Sequence, residues 1–283
     1  ENTKKPTSIT APDVTATYGV SEKLVATLKD ADNNILAGEK ITILLNNVKY
    51  PLETNSKGQA SLAIPADLAP KTYAATVTYA GNNKYKASSA TANVVVNKAP
   101  SALSASDITT PYNWGINMVA TLKDAGGKAI IGAQVKTVLN GVTKTLTTDS
   151  KGWVSLTTNG LIPDTYTAKI TFDNVNYTGF TQYVTVIVKK LTPKLTAKKK
   201  TFKKSKKVKK YTVTLKANSK ALAKVKLTLK VKGKTYKAKT NAKGKAVFKI
   251  KNLKKKGKYR ATVKFAGNNY YSKVTKKVKI TVK

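Results

Sequence analysis

Hydrophobic and polar residues alternate along most of the chain. In the segment 225–232, Val225, Leu227 and Leu229 are separated by lysine and threonine, and the segment 259–265 repeats the alternation. A period of two is the pattern of a β-strand with one buried and one solvent-facing side. Clusters of Asn, Asp and Gly separate these segments, as in turns, and no helical stripe interrupts them. The pattern predicts an all-β fold.

Three short motifs recur in the same order at intervals of 92 to 94 residues. The first is TNSKG at 54–58, which returns as TDSKG at 148–152 and TNAKG at 240–244. The second is a tyrosine with an aromatic residue six positions later, at Tyr73, Tyr166 and Tyr259. The third is GNNKY at 81–85, with a degenerate copy DNVNY at 173–177 and a close copy GNNYY at 267–271. Self-similarity at a fixed period indicates a triplicated structural unit.

Each copy ends in a valine-rich run followed by lysine, and Pro100 and Pro193 open the next copies. We therefore place domain boundaries at 1–98, 99–190 and 191–283, and refer to these segments as repeats 1, 2 and 3. About seven short alternating runs in a unit of this length predict an immunoglobulin-like antiparallel β-sandwich. Short joints that contain proline predict that the three sandwiches form an elongated, semi-rigid array.

The recurrent tyrosines Tyr73, Tyr166 and Tyr259 each begin a strand a few residues after a leucine. A tyrosine corner occupies this place in immunoglobulin-like sandwiches, where its hydroxyl binds the backbone at the crossing between the two sheets. The alternative is that these are ordinary core tyrosines. Both interpretations are structural and neither implies a binding site.

Composition removes most catalytic chemistry. The chain has no Cys and no His, which excludes disulfides, thiol metal sites and the usual general base. Its 13 carboxylates all precede residue 174, and none lies in a recognisable catalytic motif. We therefore predict a non-enzymatic protein with no cofactor, no metal site and no small-molecule substrate. No apolar run approaches the roughly 20 residues of a transmembrane helix.

One acidic segment in repeat 1 resembles the beginning of a calcium-binding loop. Residues 30–34, DADNN, have the oxygen spacing, but the glycine and the terminal glutamate of such a loop are missing. The corresponding segment of repeat 2, DAGGK at 124–128, has lost the second acid. A hairpin turn explains both segments and is the interpretation that the sequence favours.

The net charge of +40 is concentrated at one end of the chain. Repeats 1 and 2 each carry +3, whereas repeat 3 carries 33 lysines, Arg260 and no Asp or Glu, a net charge of +34. A solvated surface normally carries both signs, because charge of a single sign destabilises the folded state by self-repulsion. Repeat 3 is therefore predicted to bind a polyanion.

The candidate polyanion-binding residues are lysines at outward strand positions and in loops: Lys226, Lys230, Lys232, Lys249, Lys251, Lys254, Lys255, Lys256, Lys277 and Lys279. Further lysines at 198–200 and 203–210 are assigned to loops. Proteins that bind nucleic acid favour arginine and exposed aromatic side chains. Repeat 3 has one arginine, and most of its aromatic residues fall at inward positions. A carboxylate-rich cell-wall polymer or surface glycan is therefore favoured over nucleic acid.

Repeat 3 also resembles a known family. Its segments YTVTLK (211–216), VKGKTY (231–236), TNAKGKA (240–246) and VKFAGNNYY (263–271) are similar to the C-terminal region of adhesin-like surface proteins of methanogenic archaea, of the Methanobrevibacter type. Those proteins carry tandem bacterial-type immunoglobulin-like repeats, which repeats 1 and 2 resemble more loosely. The resemblance implies an extracellular, wall-associated protein that adheres to surfaces of other cells. It implies no catalytic or ligand-binding residues.

The sequence thus favours a monomeric, adhesin-like extracellular stalk whose polycationic repeat 3 associates with an anionic wall polymer. Two alternatives remain open at this point. The repeats could form the spacer or wall-binding array of a larger surface enzyme, or repeat 3 could bind nucleic acid.

Overall fold

The computed structural model describes residues 3–283, and all the secondary-structure elements assigned in that range are β-strands. Repeat 1 contains β1 (Thr7–Thr10), β2 (Val14–Thr17), β3 (Lys23–Asp30), β4 (Lys40–Leu45), β5 (Val48–Glu53), β6 (Gln59–Ala63), β7 (Thr72–Tyr79) and β8 (Ser88–Asn97). Repeat 2 contains β9 (Ser101–Ala105), β10 (Ile108–Pro111), β11 (Asn117–Asp124), β12 (Gln134–Leu139), β13 (Val142–Thr147), β14 (Trp153–Thr157), β15 (Thr165–Phe172) and β16 (Phe180–Lys189). Repeat 3 contains β17 (Lys194–Thr196), β18 (Lys200–Phe202), β19 (Lys209–Ala217), β20 (Lys220–Ala221), β21 (Lys226–Val231), β22 (Lys234–Lys239), β23 (Lys245–Ile250), β24 (Gly257–Phe265) and β25 (Val274–Val282). The same range contains no helix long and apolar enough to cross a membrane.

Each repeat folds into two sheets that enclose a core. In repeat 1 the three-stranded sheet has the order β1-β3-β6, and the five-stranded sheet has the order β2-β8-β7-β4-β5. Repeat 2 has the corresponding orders β9-β11-β14 and β10-β16-β15-β12-β13. In repeat 3, β19 lies between β17 and β23, with the short β20 also paired to β19, and the second sheet is β18-β25-β24-β21-β22. These are immunoglobulin-like sandwiches, so the predicted all-β sandwich class is confirmed.

One strand pair in each sandwich departs from the predicted antiparallel arrangement. β2 and β8, β10 and β16, and β18 and β25 pair in parallel. The reason is that the first extended segment of each repeat divides between the two sheets. Its first half joins the three-stranded sheet, and its second half lies beside the last strand of the repeat, in the same direction.

The period-two alternation predicts correctly which side chains are buried. Leu227, Leu229 and Val231 of β21 are each at most 1% exposed, whereas the intervening Lys226 and Lys230 are exposed. The buried side chains form three separate clusters, one in each repeat. Fully burying one such aliphatic side chain contributes about 1.5–3 kcal/mol, so each sandwich has the core of an independent folding unit.

The recurrent T-N/D-x-K-G motif forms the same tight turn in every repeat. In repeat 1 the side-chain oxygen of Asn55 accepts hydrogen bonds from the amides of Lys57 (2.8 Å) and Gln59 (3.1 Å). Asp149 and Asn241 each accept the equivalent pair of hydrogen bonds. The turn ends on a glycine with positive φ, whose carbonyl oxygen accepts a hydrogen bond from a leucine amide in the neighbouring strand. The motif therefore recurs because it closes a turn, not because it binds a ligand.

The recurrent tyrosines bind the backbone four residues upstream. The hydroxyls of Tyr73, Tyr166 and Tyr259 donate to the carbonyl oxygens of Ala69 (2.8 Å), Ile162 (2.7 Å) and Lys255 (2.7 Å). A tyrosine corner has this local hydrogen bond between its hydroxyl and upstream backbone. Burial raises the pKa of the Tyr166 hydroxyl, as expected when water is removed from an ionisable group.

The connections between consecutive sandwiches are very short. β8 ends at Asn97, and the amide of Ala99 already donates to the carbonyl oxygen of Asn176 in repeat 2, at 2.9 Å. At the second joint β16 ends at Lys189, and the amide of Leu191 donates to the carbonyl oxygen of Tyr270 in repeat 3, at 3.0 Å. A single residue therefore separates the two sandwiches at each joint, which leaves little freedom for bending.

Aromatic side chains meet at both joints from equivalent positions. Tyr18, which follows β2, packs edge-to-face on Tyr177 of repeat 2 with ring centroids 5.6 Å apart. Tyr112, which follows β10, lies 5.0 Å from the ring of Tyr270 and 5.9 Å from that of Tyr271 in repeat 3. Edge-to-face pairs at these distances are favourable beyond the apolar area they bury. The sandwiches are thus joined end to end through matching tyrosine contacts.

The acidic segment of repeat 1 closes a hairpin turn and holds the entering chain. The Nζ atom of Lys5 lies 2.8 Å from Asp30 Oδ2 and 2.5 Å from Asp32 Oδ2, while Asp30 Oδ1 accepts from the amides of Asp32 and Asn34. These contacts hold the pKa of Asp30 well below its usual range and raise that of Lys5. Since both oxygens of Asp30 are engaged by donors, the hairpin interpretation of this segment fits the geometry and the calcium interpretation does not.

Candidate polyanion-binding surface

The outer face of the five-stranded sheet in repeat 3 carries a pattern of lysine and threonine. Thr228 of β21 lies between Lys237 of β22 and Lys264 of β24. One register further along, Thr262 of β24 lies between Lys230 and Lys277. Neighbouring strands are about 4.8 Å apart, so lysines on alternate strands are about 10 Å apart. That spacing is near the screening length of physiological salt, which limits but does not abolish repulsion between the ammonium groups.

Two cross-strand pairs on this face place like charges directly opposite each other. Lys226 pairs with Lys239, and Arg260 pairs with Lys279. Like charges in opposite positions of a sheet destabilise it. Repeat 3 has no Asp or Glu side chain with which to offset them. The isolated sandwich therefore carries electrostatic strain that a bound polyanion would relieve.

The second sheet of repeat 3 is also cationic on its outer face. Lys249 of β23 lies opposite Lys210 of β19, and Lys245 lies opposite Thr214. Val247, between the two lysines of β23, is 44% exposed. Because exposed lysines lie on both outer faces, the positive charge of repeat 3 surrounds the sandwich.

The structure divides the predicted polyanion-binding residues among three places, and all of them are exposed. The five-stranded sheet carries Lys226, Lys230, Lys277 and Lys279. The second sheet carries Lys249. The end of the sandwich remote from repeat 2 carries Lys232, Lys251, Lys254, Lys255 and Lys256. The predicted residues thus do not converge on one site.

Several placements made from the sequence are wrong. Lys251, predicted at an outward strand position, follows β23, which ends at Ile250, and Lys200, assigned to a loop, begins β18. Lys232 does not lie on a strand: it has a φ of 46° and forms, with Gly233, the two-residue turn between β21 and β22. Lys209 and Lys210 do not lie in a loop, because they begin β19. Lys209 is only 2% exposed, which makes it a buried lysine.

Sequence reasoning also missed several surface cations. Lys237, Lys264 and Arg260 belong to the same sheet face as the predicted lysines, as the strand registers require. The alternation in β22 and β24 contains the signal that identifies them, because each lies at an outward position. Lys209 shares the inward parity of Tyr211 and Val213, which is the signal for its burial.

Some of the lysines are stabilised by aromatic rings rather than by carboxylates. The Nζ atom of Lys232 lies 6.0 Å from the ring centroid of Tyr259, and that of Lys234 lies 5.8 Å from the ring centroid of Tyr236. At exposed sites such contacts contribute about 0.5–1 kcal/mol. In residues 3–283 the ion pairs occur in repeat 1 and involve Lys5. The charge of repeat 3 therefore remains available to external anions.

Comparison with known proteins identifies no family. No protein-family model matches the chain, and no curated protein matches it. Among solved structures, a bacterial ice-binding adhesin, described for its retention at the host cell surface, shares 15% identity with this chain. The match covers 99% of this chain and 100% of the adhesin structure, with a TM-score of 0.34. Invasin, a bacterial integrin-binding protein, shares 14% identity over 98% of this chain and 60% of its own, with a TM-score of 0.46. A titin segment shares 10% identity over 98% of this chain and 99% of its own, with a TM-score of 0.44. Likeness at this level carries no argument about function.

Proposed function

We propose that the chain is an adhesin-like, extracellular module in which repeats 1 and 2 form a stalk and repeat 3 holds an anionic polymer of a cell wall or surface glycan. One observation carries this proposal: repeat 3 combines 34 cationic side chains with no Asp or Glu, while its neighbours are nearly neutral. Exposed lysines on both sheets and at the end of the sandwich support association from any side. Each contact is weak, so the binding is multivalent.

The stalk is supported by the geometry of the joints. Single-residue connections and the tyrosine contacts at both joints favour a stiff, end-to-end arrangement of three domains, with boundaries at 98/99 and 190/191. We propose that the protein is monomeric and acts without catalysis or a small-molecule substrate. Spacer domains of a surface enzyme would share this architecture, and assays of wall hydrolysis by the purified chain separate the two.

Small-angle scattering tests the stalk. A compact protein of 283 residues has a radius of gyration of about 19 Å. Three sandwiches in line, each about 33 Å long from its longest strand of nine or ten residues, give a value of roughly 30 Å. A measured radius near ~30 Å, independent of protein concentration, is the expected result. A value near that of a compact globule would rule out the extended array.

Graded replacement of lysines tests the electrostatic contact. We expect each of Lys226, Lys230, Lys277 and Lys279, changed to Gln, to weaken binding to polygalacturonate by no more than about fivefold, because an exposed contact contributes about 0.2–1 kcal/mol. The affinity of the variant with all four Gln substitutions should fall by roughly the product of the four single effects. Lys→Arg at the same four positions keeps the charge and should leave the affinity nearly unchanged. A single Gln substitution that abolishes binding would show a discrete site on this face and contradict the multivalent model.

A further inference from the structure

The end of repeat 3 remote from repeat 2 contains an open cleft of about 590 Å³. The loop between β18 and β19 and the loop between β23 and β24 form its walls. Six lysines line it: Lys204, Lys206, Lys207, Lys209, Lys251 and Lys254. A cleft of this volume can accommodate a sugar residue with its substituents, and it is larger than the depressions of about 400 and 360 Å³ on the five-stranded sheet.

Lys209 is the unusual member of this cluster. Its side chain shares the inward parity of Tyr211, the residue is 2% exposed, and its sandwich contains no Asp or Glu. Within residues 3–283 its ammonium group has one hydrogen bond, 2.7 Å long, to the carbonyl oxygen of Lys206. An ammonium group has three donors, and a buried charge is costly unless it is paired. The remaining donors are available to an anionic acceptor in the cleft, which Lys209 helps to line.

The corresponding end of repeats 1 and 2 packs against the repeat that follows. There, Tyr18 and Tyr112 donate their amides to the end of the last strand and pack against the next repeat. In repeat 3, Lys204 makes the equivalent backbone hydrogen bond, to the carbonyl oxygen of Lys283. The surface that forms a joint in the first two repeats is thus lysine-rich in the third.

The buried lysine is also specific to repeat 3. Strand register aligns Lys209 with Glu22 of repeat 1, which is exposed, and with Ile116 of repeat 2, which is 41% exposed. The loop that precedes β19 is one residue longer than its counterparts, since seven positions separate Lys204 from Tyr211 and six separate Tyr18 from Leu24. The carbonyl oxygen that binds the Lys209 ammonium belongs to this longer loop. The longer loop therefore supplies the hydrogen-bond acceptor that accompanies the burial of Lys209.

We propose that this cleft is a discrete oxyanion-binding site that takes a single carboxylate or phosphate group of an anionic polysaccharide, with Lys209 as the buried contact and the surrounding lysines as the outer ones. The proposal rests on the proposed function for the identity of the polymer and adds a specific site to it. Lysine ammonium groups suit a compact oxyanion, to which they present a concentrated charge and rotatable donors.

A polysaccharide fits this cleft better than a nucleic acid. The cleft is lined by the six lysines and Val208. Its lining includes neither an arginine for bidentate contacts nor an aromatic ring for base stacking. Sequence-tolerant nucleic-acid binding relies on such rings along an extended groove. A pendant or terminal acidic sugar needs only one enclosed oxyanion contact.

Titration calorimetry on the full chain, in about 0.15 M NaCl to suppress diffuse attraction, tests the site. Trigalacturonate is the carboxylate probe, inorganic tripolyphosphate is the phosphate probe, and a short DNA duplex is the competitor. The test variant is Lys209→Met, and its matched control is Lys210→Met, which removes the same charge from the adjacent, exposed position. We expect Lys209→Met to weaken binding of the better oxyanion probe by about tenfold or more and Lys210→Met by less than about twofold, because a charged hydrogen bond from a buried ammonium group is stronger than the contact of an exposed one.

Two double variants keep the test decisive if Lys209→Met fails to fold. The first, Lys207→Met with Lys254→Met, removes two exposed lysines of the cleft, and the second, Lys210→Met with Lys249→Met, removes two exposed lysines outside the cleft. Greater loss of affinity in the first double variant supports the site. Equal losses of affinity in the two double variants would overturn the discrete site and leave the multivalent electrostatic contact intact. Absence of polysaccharide binding even at low salt would overturn the proposed function as well. Tighter binding of the duplex than of trigalacturonate, lost in Lys209→Met, would overturn the assignment to polysaccharide.

Discussion

We expect the affinity of the full chain for polygalacturonate to fall by about a thousandfold or more between about 50 and about 200 mM NaCl. The reason is that a polycation that neutralises many charges of a polymer releases an equal number of condensed counterions. Six to ten contacts are enough for a loss of this size. Repeat 3 presents far more lysines than that on its two faces and its end. The slope of log affinity against log salt therefore counts the contacts.

The control for this titration is a neutral polysaccharide, dextran, which should not bind at either salt concentration. The fourfold Gln variant at Lys226, Lys230, Lys277 and Lys279 should show a shallower slope, because fewer counterions are released. An affinity that is independent of salt would mean that apolar or hydrogen-bonded contacts dominate. In that case the charge of repeat 3 would need another explanation.

Substitution of the turn glycine of repeat 2 is expected to have a large effect on stability. Gly152 has a φ of +73°, and a Cβ atom placed there would collide with the carbonyl oxygen of Leu122 and lie 3.2 Å from Ala129 Cβ. A left-handed backbone costs a residue with a Cβ about 1–2 kcal/mol, and the collision adds to this. We expect Gly152→Ala to lower the free energy of unfolding of repeat 2 by about 3 kcal/mol.

Gly141→Ala provides a matched control for that variant. Gly141 also has a φ of +73°, but no heavy atom lies within 4 Å of the position of its Cβ. This variant should lose only the backbone contribution, about 1–2 kcal/mol. Urea unfolding followed by fluorescence measures both variants in the intact chain, because the two tryptophans, Trp114 and Trp153, belong to repeat 2. Equal losses from the two substitutions would contradict the role assigned to the turn motif.

The sequence contained most of the fold because the relevant signals are local. Alternation of Leu227 and Leu229 with lysine and threonine determines which side of β21 is buried, and the T-N/D-x-K-G motif encodes a turn through an asparagine or aspartate and a glycine. The parallel pairing of β18 with β25 is not encoded locally, since it joins residues about 80 positions apart. The tyrosine contacts at the joints are equally remote, because Tyr18 meets Tyr177.

The candidate surface was predictable in charge but not in arrangement. The absence of acids from repeat 3 is visible in the sequence, and so is the outward parity of Lys230 and Lys277. The burial of Lys209 follows from strand parity only once β19 is known to begin there, and a run of lysines hides that boundary. A cleft formed by two loops separated by more than 40 residues requires the fold itself.

The most direct measurement is a sedimentation assay that compares residues 1–190 with residues 191–283 on anionic wall material at low and high salt. Each segment includes complete cores, so both are expected to fold. We predict that residues 191–283 sediment with the wall at low salt and are released at high salt, whereas residues 1–190 stay in solution under both conditions. Sedimentation of residues 1–190, or retention of residues 191–283 at high salt, would contradict the assignment of an electrostatic contact to repeat 3.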